Sequence, residues 1–319
     1  MAANQRILFM GTPDFAVATL NALIASGLDV CAVVTAPDRP AGRGRQLRAS
    51  AVKERALELG IPTLQPEKLK DPTFLAELDR IDAALYVVVA FRMLPEVVWA
   101  KPKLGTVNLH GSLLPAYRGA APINWAVING EERTGVTTFR IRHEIDTGDL
   151  LLQEHTSIGA NETAGDVHDR LMMIGADLMV RTVQGLIAGT LAAAPQHIEV
   201  EAPPPGAPKL NTENMHVCFD RNAKTAHDHV RGLSPYPGAW CTWTDTTGQT
   251  QHLKILRTAL TGRPMQSATG TLVVESHRLF VSCSDQLLEL VELQAEGRKR
   301  MLATEFLRGT RNVEGGHLG

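Results

Sequence analysis

Short apolar runs separated by longer stretches of helical periodicity mark the first half of the chain. RILFMG at 6–11 reads as a buried strand, broken by GTPD. Over 14–26, Phe15, Leu20, Leu23 and Ile24 fall at helical spacing and Gly27 supplies a stop, which predicts a helix. VCAVVTA at 30–36 predicts a second strand, and an Ala- and Leu-rich segment at 49–59 a second helix. ALYVVVA at 84–90 and GTVNLHG at 105–111 are further strand-like runs, as are 134–141 and 150–158; 163–188 reads as one long helix. Apolar strands interleaved with helices predict a parallel sheet covered on both faces.

The pattern changes beyond a stretch at 189–209 that holds Pro195, Pro203, Pro204, Pro205 and Pro208. Such a stretch predicts a semi-rigid linker and a domain boundary. After it, CTWTDTTGQTQHLKIL and GTLVVESHRLFVSCSDQLLELVEL alternate apolar with polar residues between turn signals. That predicts an antiparallel, mostly β module shaped as a small barrel.

Length agrees with two domains: 319 residues against roughly 150 per domain. Hydrophobic residues at 44% and charged residues at 21% exclude a disordered chain. No uncharged apolar run approaches the length of a membrane span, and the N-terminus lacks a signal-peptide pattern, so neither a membrane nor secretion is expected. Cys31, Cys218, Cys241 and Cys283 stand in no C-x-x-C, which predicts buried or half-buried free thiols in a reducing, cytoplasmic setting. A net charge of −2 does not announce a nucleic-acid binder. Locally, however, PDRPAGRGRQLR at 37–48 sets Arg39, Arg43, Arg45 and Arg48 against Asp38 alone. This exposed loop is either simply solvated or an arm whose guanidinium forks grip phosphate.

Three stretches could carry chemistry. GTPDF at 11–15 lies between the first strand and helix but matches neither a G-x-G-x-x-G nor a P-loop fingerprint. NLHGSLLPAYRGAAP at 108–122 leaves a strand at its carboxyl end. Asn108 and His110 are alternate residues and share one face. They are either satisfied polar groups at a strand end or paired donors for an oxyanion. In HEIDTGDL at 143–150, Asp146 either caps a turn or holds a histidine in one tautomer and assists proton transfer. No serine or cysteine sits as an activated nucleophile, which favours direct transfer between two bound substrates. His110, His143 and Asp146 show no metal-ligand spacing, so no metal is expected.

Asn108-Leu-His110-Gly-Ser-Leu-Leu-Pro115, Tyr117-Arg118-Gly119 and Asp146-Thr-Gly-Asp149 together resemble the signature of the folate-dependent formyltransferases. GTPDF, PDRPAGRG at 37–44, VVVAF with LP at 87–95, SPYPGAW at 234–240 and LQAEGRKRM at 293–301 extend the resemblance over nearly the whole chain. Within the family the chain is similar to members that formylate methionyl-tRNA. The resemblance implies a Rossmann-like formyltransferase domain at 1–189, a linker at 190–209 and an OB-like β-barrel domain at 210–319 that contacts tRNA. It implies 10-formyltetrahydrofolate as donor and initiator methionyl-tRNA as acceptor, with no membrane partner and a monomeric state. It further implies Asn108, His110 and Asp146 as the catalytic group and Ser112, Leu113, Leu114 and Pro115 as folate contacts. Arg43 and Arg45 would meet the tRNA acceptor stem, and Phe15 is a candidate for the methionyl pocket. Where the family commonly has glycine after the aromatic of VVVAF, this chain has Arg92.

Other acceptors remain open. A nucleotide amino sugar would use the same Asn–His–Asp group but would not need PDRPAGRG or the barrel. Glycinamide ribonucleotide formylation fits neither the length nor the second domain. A hydrolase would put water in place of the amine, and a non-catalytic RNA-binding protein would leave the three polar residues without a purpose.

Overall fold

The computed structural model of the chain describes residues 5–41, 46–197 and 203–319; Arg43 and Arg45 lie outside them. The chain divides into two compact units. The first comprises Met1–Gly119, Gly135–Thr156 and Asp169–Gly206, and the second Ala120–Thr134, Ser157–His168 and Ala207–Gly319.

The first unit is built on a seven-stranded sheet. Across it the strands run Leu150–Ser157, Arg133–Arg140, Thr106–His110, Leu85–Val89, Ile7–Gly11, Val30–Val34 and Thr63–Leu64. Ile7–Gly11 and Leu85–Val89 are buried at every position, which is why they read as unbroken apolar runs. The five strands from Thr106–His110 to Thr63–Leu64 are parallel. Arg133–Arg140 is not: it runs antiparallel to Thr106–His110, so the sheet is mixed where the sequence predicts a parallel one. A parallel crossover needs a long covering segment. Between these two strands, residues 111–132 carry the short strand Arg118–Gly119 and the seven-residue helix Pro122–Ile128, and that helix is grouped with the second unit and not with this sheet.

From the central strand the chain goes first to Val30–Val34, then returns on the other side with Leu85–Val89. The order therefore reverses beside Ile7–Gly11. Crevices open at such a reversal, at the carboxyl ends of the strands. The predicted helices are present as Asp14–Ala25, Ala51–Glu58 and Ala164–Ala188. Pro72–Ile81 is additional; Pro72 opens it and the Asp71 carboxylate accepts the Thr73 N–H at 2.8 Å, a complete N-terminal cap. The long helix spends Val167, Leu171, Leu178, Met179 and Val183 inside the protein.

The second unit is an antiparallel sheet. Its strands run Leu272–Glu275, Arg278–Ser282, Gln286–Ala295, Thr250–Pro264, Ala239–Thr244 and His317–Leu318, with Met301–Leu302 on the side of Gln286–Ala295. Burial alternates along Ala239–Thr244, with Ala239, Cys241 and Trp243 inward. Register shifts in Thr250–Pro264 curl the sheet. The two ends of the strand order then meet, with Thr271 bridging His317 and the Leu272 N–H donating to Gly316 O at 2.8 Å. Joined edges make this the expected OB-like barrel. Trp243 and Phe306 cross edge to face in its core, 5.3 Å between centroids.

Cys241 and Cys283 are buried thiols that burial pushes up to about 12. Cys218 is exposed, contrary to the sequence expectation. Val217 and Phe219 face the core, so alternation sends the residue between them outward.

Burial also pushes His229, on helix Ala223–Gly232, down to about 4, and it lowers His227 in the same helix. A histidine held below its unfolded value of about 6.5 must charge on unfolding in acid. Its stabilisation is complete above pH ~6.5 and is lost as pH falls towards the folded value. His229 alone is expected to cost the fold roughly 3 kcal/mol across that interval. His229→Leu should therefore flatten the melting temperature against pH between 6.5 and 4; an unchanged slope would refute this.

Candidate active site

The strand Thr106–His110 sorts its side chains by alternation. Leu109 faces the long helix Ala164–Ala188. There Gly175 permits the close approach, since a Cβ on it would stand 2.7 Å from Leu109 Cδ2. Thr138, opposite Leu109, shares a 2.8 Å hydrogen bond with Thr182 of that helix. Asn108 and His110 consequently occupy the other face, opposite Phe139 and Thr137. Asn108 Oδ1 is buried without a hydrogen-bond partner among the described residues. A buried orphan acceptor is costly, and such atoms gather where function demands them.

His110 is only 6% exposed. Its Nε2 lies 2.8 Å from the carbonyl oxygen of Tyr117. A carbonyl only accepts, so Nε2 carries the hydrogen and the tautomer is settled. Nδ1 faces Asp146 Oδ2 at 3.8 Å, inside ion-pair reach but beyond a hydrogen bond. Nδ1 is therefore the nitrogen at which this imidazole takes a proton. Asp146 Oδ2 also accepts the Gly119 N–H at 3.0 Å. Phe139 closes the remaining side, edge to face with its centroid 6.5 Å from that of the imidazole.

Two backbone positions around this histidine are unusual. Tyr117 at φ 59° and Asp146 at φ 55° adopt left-handed conformations. Each costs about 1–2 kcal/mol for a residue with a Cβ, and such strain persists only where surroundings impose it. One surrounding group is Gln196, whose Nε2 donates to Asp146 O and to Gly148 O, both at 2.8 Å. Its Oε1 accepts from Arg118. Gly148 must lack a side chain, because a Cβ would stand 1.6 Å from Arg140 O.

The turn after the strand is equally fixed. Thr137 Oγ1 donates to Ser112 O at 2.6 Å and accepts from Leu114 N at 3.1 Å. Gln153 Nε2 donates to Leu114 O at 2.9 Å and to Thr137 Oγ1 at 3.0 Å. Ser112 is buried, with its hydroxyl spent on Ala116 O at 2.6 Å, and Leu114 is buried too. Leu113 and Pro115 are half-buried.

The structure thus brings His110 and Asp146 together and sets Asn108 on the same face. Phe15 is buried in the first turn of helix Asp14–Ala25, after a strand two places away in the sheet. Arg92 donates to Glu67 O at 2.8 Å and to Pro66 O, and burial together with nearby Arg39 holds its guanidinium pKa below the usual value. Thr137, Gln153 and Gln196 escape the reading of the sequence as functional residues, and Tyr117 and Gly119 stand in its signature without an assigned role. Tyr117 and Gly119 act through backbone groups, which leave no mark on side-chain type; the visible signal was their place beside the SLLP segment.

The sequence pattern of the formyl transferase family matches residues 5–183, and that of the formyl transferase C-terminal domain matches residues 209–311. A methionyl-tRNA formyltransferase of Parabacteroides distasonis is 48% identical over 315 residues, 97% of this chain and 97% of that protein. One of Bacteroides fragilis is 45% identical over 308 residues, 96% of this chain and 95% of that protein. The crystal structure of WlaRD, a sugar 3N-formyl transferase in the presence of dTDP and 5-N-formyl-THF, is similar with a TM-score of 0.65 at 18% identity, covering 93% of this chain and 99% of that one. HypX from Aquifex aeolicus in complex with tetrahydrofolic acid gives a TM-score of 0.64 at 15% identity, covering 96% of this chain and 47% of HypX. At those identities the likeness is one of fold.

Proposed function

This chain belongs to the formyl transferase family, and from that premise we propose that it transfers the formyl group of 10-formyltetrahydrofolate to the α-amino group of methionine on initiator methionyl-tRNA. The observation that carries the chemistry is the enclosed His110, with Nε2–H held by Tyr117 and Nδ1 turned to Asp146. Near-complete alignment with relatives named for methionyl-tRNA supports the acceptor. Solved neighbours described with folates support the donor.

A free α-amino group titrates at about 7.7–8.0, so much of it is neutral near pH 7.5. Its nitrogen attacks the formyl carbon, a C–N bond forms and the carbonyl oxygen becomes an oxyanion. The Asn108 carboxamide donates to that oxygen. The proton leaving the amine is taken at His110 Nδ1, where the Asp146 carboxylate compensates the imidazolium. Collapse breaks the bond to N10 of the folate, and the same proton ends on that nitrogen. Leu113 and Pro115 line the folate side of the turn, while Ser112 and Leu114 hold its shape. We assign Phe15, in the first turn of helix Asp14–Ala25, to the methionyl pocket. We assign catalysis to residues 1–189 and tRNA contact to 210–319 across the linker at 190–209, in a cytoplasmic monomer.

Labelled formyl transfer tests this, with charged initiator methionyl-tRNA, charged elongator methionyl-tRNA and a UDP-amino sugar as parallel acceptors. Label confined to the initiator tRNA is expected. Label on the sugar alone overturns the acceptor, and formate release without a labelled acceptor makes the chain a hydrolase. Arg43→Leu is expected to raise KM for the tRNA and reduce its salt dependence. Equal loss on a small methionyl ester would rule out the arm.

A further inference from the structure

We infer that Gln196 is a positioning residue for formyl transfer: one side-chain amide ties together the two loops that hold His110 and Asp146. This rests on the proposed function. Gln196 lies beyond the residues matched by the catalytic-domain pattern and before those matched by the C-terminal one, within the proline-rich stretch that the sequence marks as a linker.

The amide makes every hydrogen bond open to it. Its two N–H groups go to Asp146 O and Gly148 O at 2.8 Å each, and its oxygen accepts from Arg118 Nε at 3.2 Å and from Arg118 Nη2. Two carbonyls on one side and a guanidinium on the other leave no ambiguity about which end is nitrogen. The backbone beneath is anchored as well, because Ala194 and Leu150 exchange N–H···O bonds of 2.7 and 2.9 Å. Gln196 is half-buried between exposed Pro195 and His197.

What the amide joins matters. Arg118 stands between the two residues whose backbones meet the catalytic pair. The Tyr117 carbonyl receives His110 Nε2, and the Gly119 N–H reaches Asp146 Oδ2. On the other side the amide grips the carbonyl of Asp146 itself, a residue in a left-handed conformation. Without those bonds, Asp146 and Gly148 lose partners for their carbonyls, and the Asp146 turn can relax to an ordinary conformation. The carboxylate would then leave its place opposite His110 Nδ1. Gln196 touches no reacting atom in this scheme; it sets where Asp146 stands.

The test is steady-state formyl transfer to initiator methionyl-tRNA by the wild-type chain, Gln196→Leu, Gln196→Glu and His197→Ala. Gln196→Glu keeps size and the acceptor for Arg118 but loses both donors. Gln196→Leu and Gln196→Glu are each expected to lower kcat about 10- to 100-fold, with both KM values within about twofold, as for a misplaced catalytic group. His197→Ala should match wild type. A wild-type kcat in Gln196→Leu overturns the inference. So does a loss confined to KM, or full activity in Gln196→Glu, which would reduce the residue to a partner for Arg118. If Gln196→Leu fails to fold, the isosteric Gln196→Glu carries the same comparison. A wild-type chain that transfers no formyl group removes the proposed function and this inference with it. A wild type that transfers beside a fully active Gln196 variant removes the inference alone.

Discussion

His110→Asn and Asp146→Asn each lower kcat for formyl transfer by about 100- to 10,000-fold, the range of a lost acid–base group, while KM for the formyl donor stays within about threefold. The expectation follows from where the proton goes. Tyr117 O occupies Nε2, so Nδ1 is the nitrogen that remains for proton uptake, and it faces a carboxylate. Asparagine at 110 cannot take that proton. Asparagine at 146 keeps the shape and can still accept from the Gly119 N–H, but it removes the charge that compensates the imidazolium. The double variant should be barely worse than either single one, because the two residues act as a unit. Additive losses, or a near-normal kcat in either single variant, would place the proton transfer elsewhere. Donor binding by fluorescence titration, measured on the same samples, separates a catalytic loss from a binding loss.

Gly148→Ala is expected to reduce kcat about 100-fold and destabilise the protein by about 1–3 kcal/mol. The reason is space, not conformational freedom: an added Cβ would lie 1.6 Å from Arg140 O and 2.8 Å from its carbonyl carbon. Backbone cannot give way as a long side chain can, so the turn must lift off the strand. Asp146 is two residues away and the Gly148 carbonyl is one of the Gln196 partners, so the lift moves the carboxylate that faces His110. Gly309→Ala is the matched control, since among the described residues its Cβ would meet just the tip of Arg298 at 3.6 Å. A Gly148→Ala enzyme as active as Gly309→Ala would show that the turn tolerates displacement. Melting curves on both variants distinguish a local shift from general loss of structure.

Much of this molecule is legible in its residues because burial writes itself into local pattern. Ile7–Gly11 and Leu85–Val89, buried on both faces, appear as unbroken apolar runs, and Ala239–Thr244, buried on one, as alternation. The alternate spacing of Asn108 and His110 likewise determined that they share a face, since the strand period is two. The resemblance carried by SLLP, YRG and DTGD identified the family, which nearly full-length relatives then showed. Short helices such as Pro122–Ile128 were not legible, because two turns make too little periodicity to stand out.

Tertiary structure alone decided three matters. One was the direction of Arg133–Arg140, which its antiparallel pairing with Thr106–His110 sets and which the strand's own residues do not show. Another was the state of His110. That state rests on the carbonyl of Tyr117 and on the distance to a carboxylate 36 positions along the chain, and neither is a property of local sequence. The last was Gln196, which reads as one more polar residue in a proline-rich stretch until the fold lays that stretch across the Asp146 turn. Side-chain type and period are local quantities and survive in the sequence. Backbone hydrogen bonds and contacts between distant segments exist only once loop closure has been achieved, so they are settled by the folded chain as a whole.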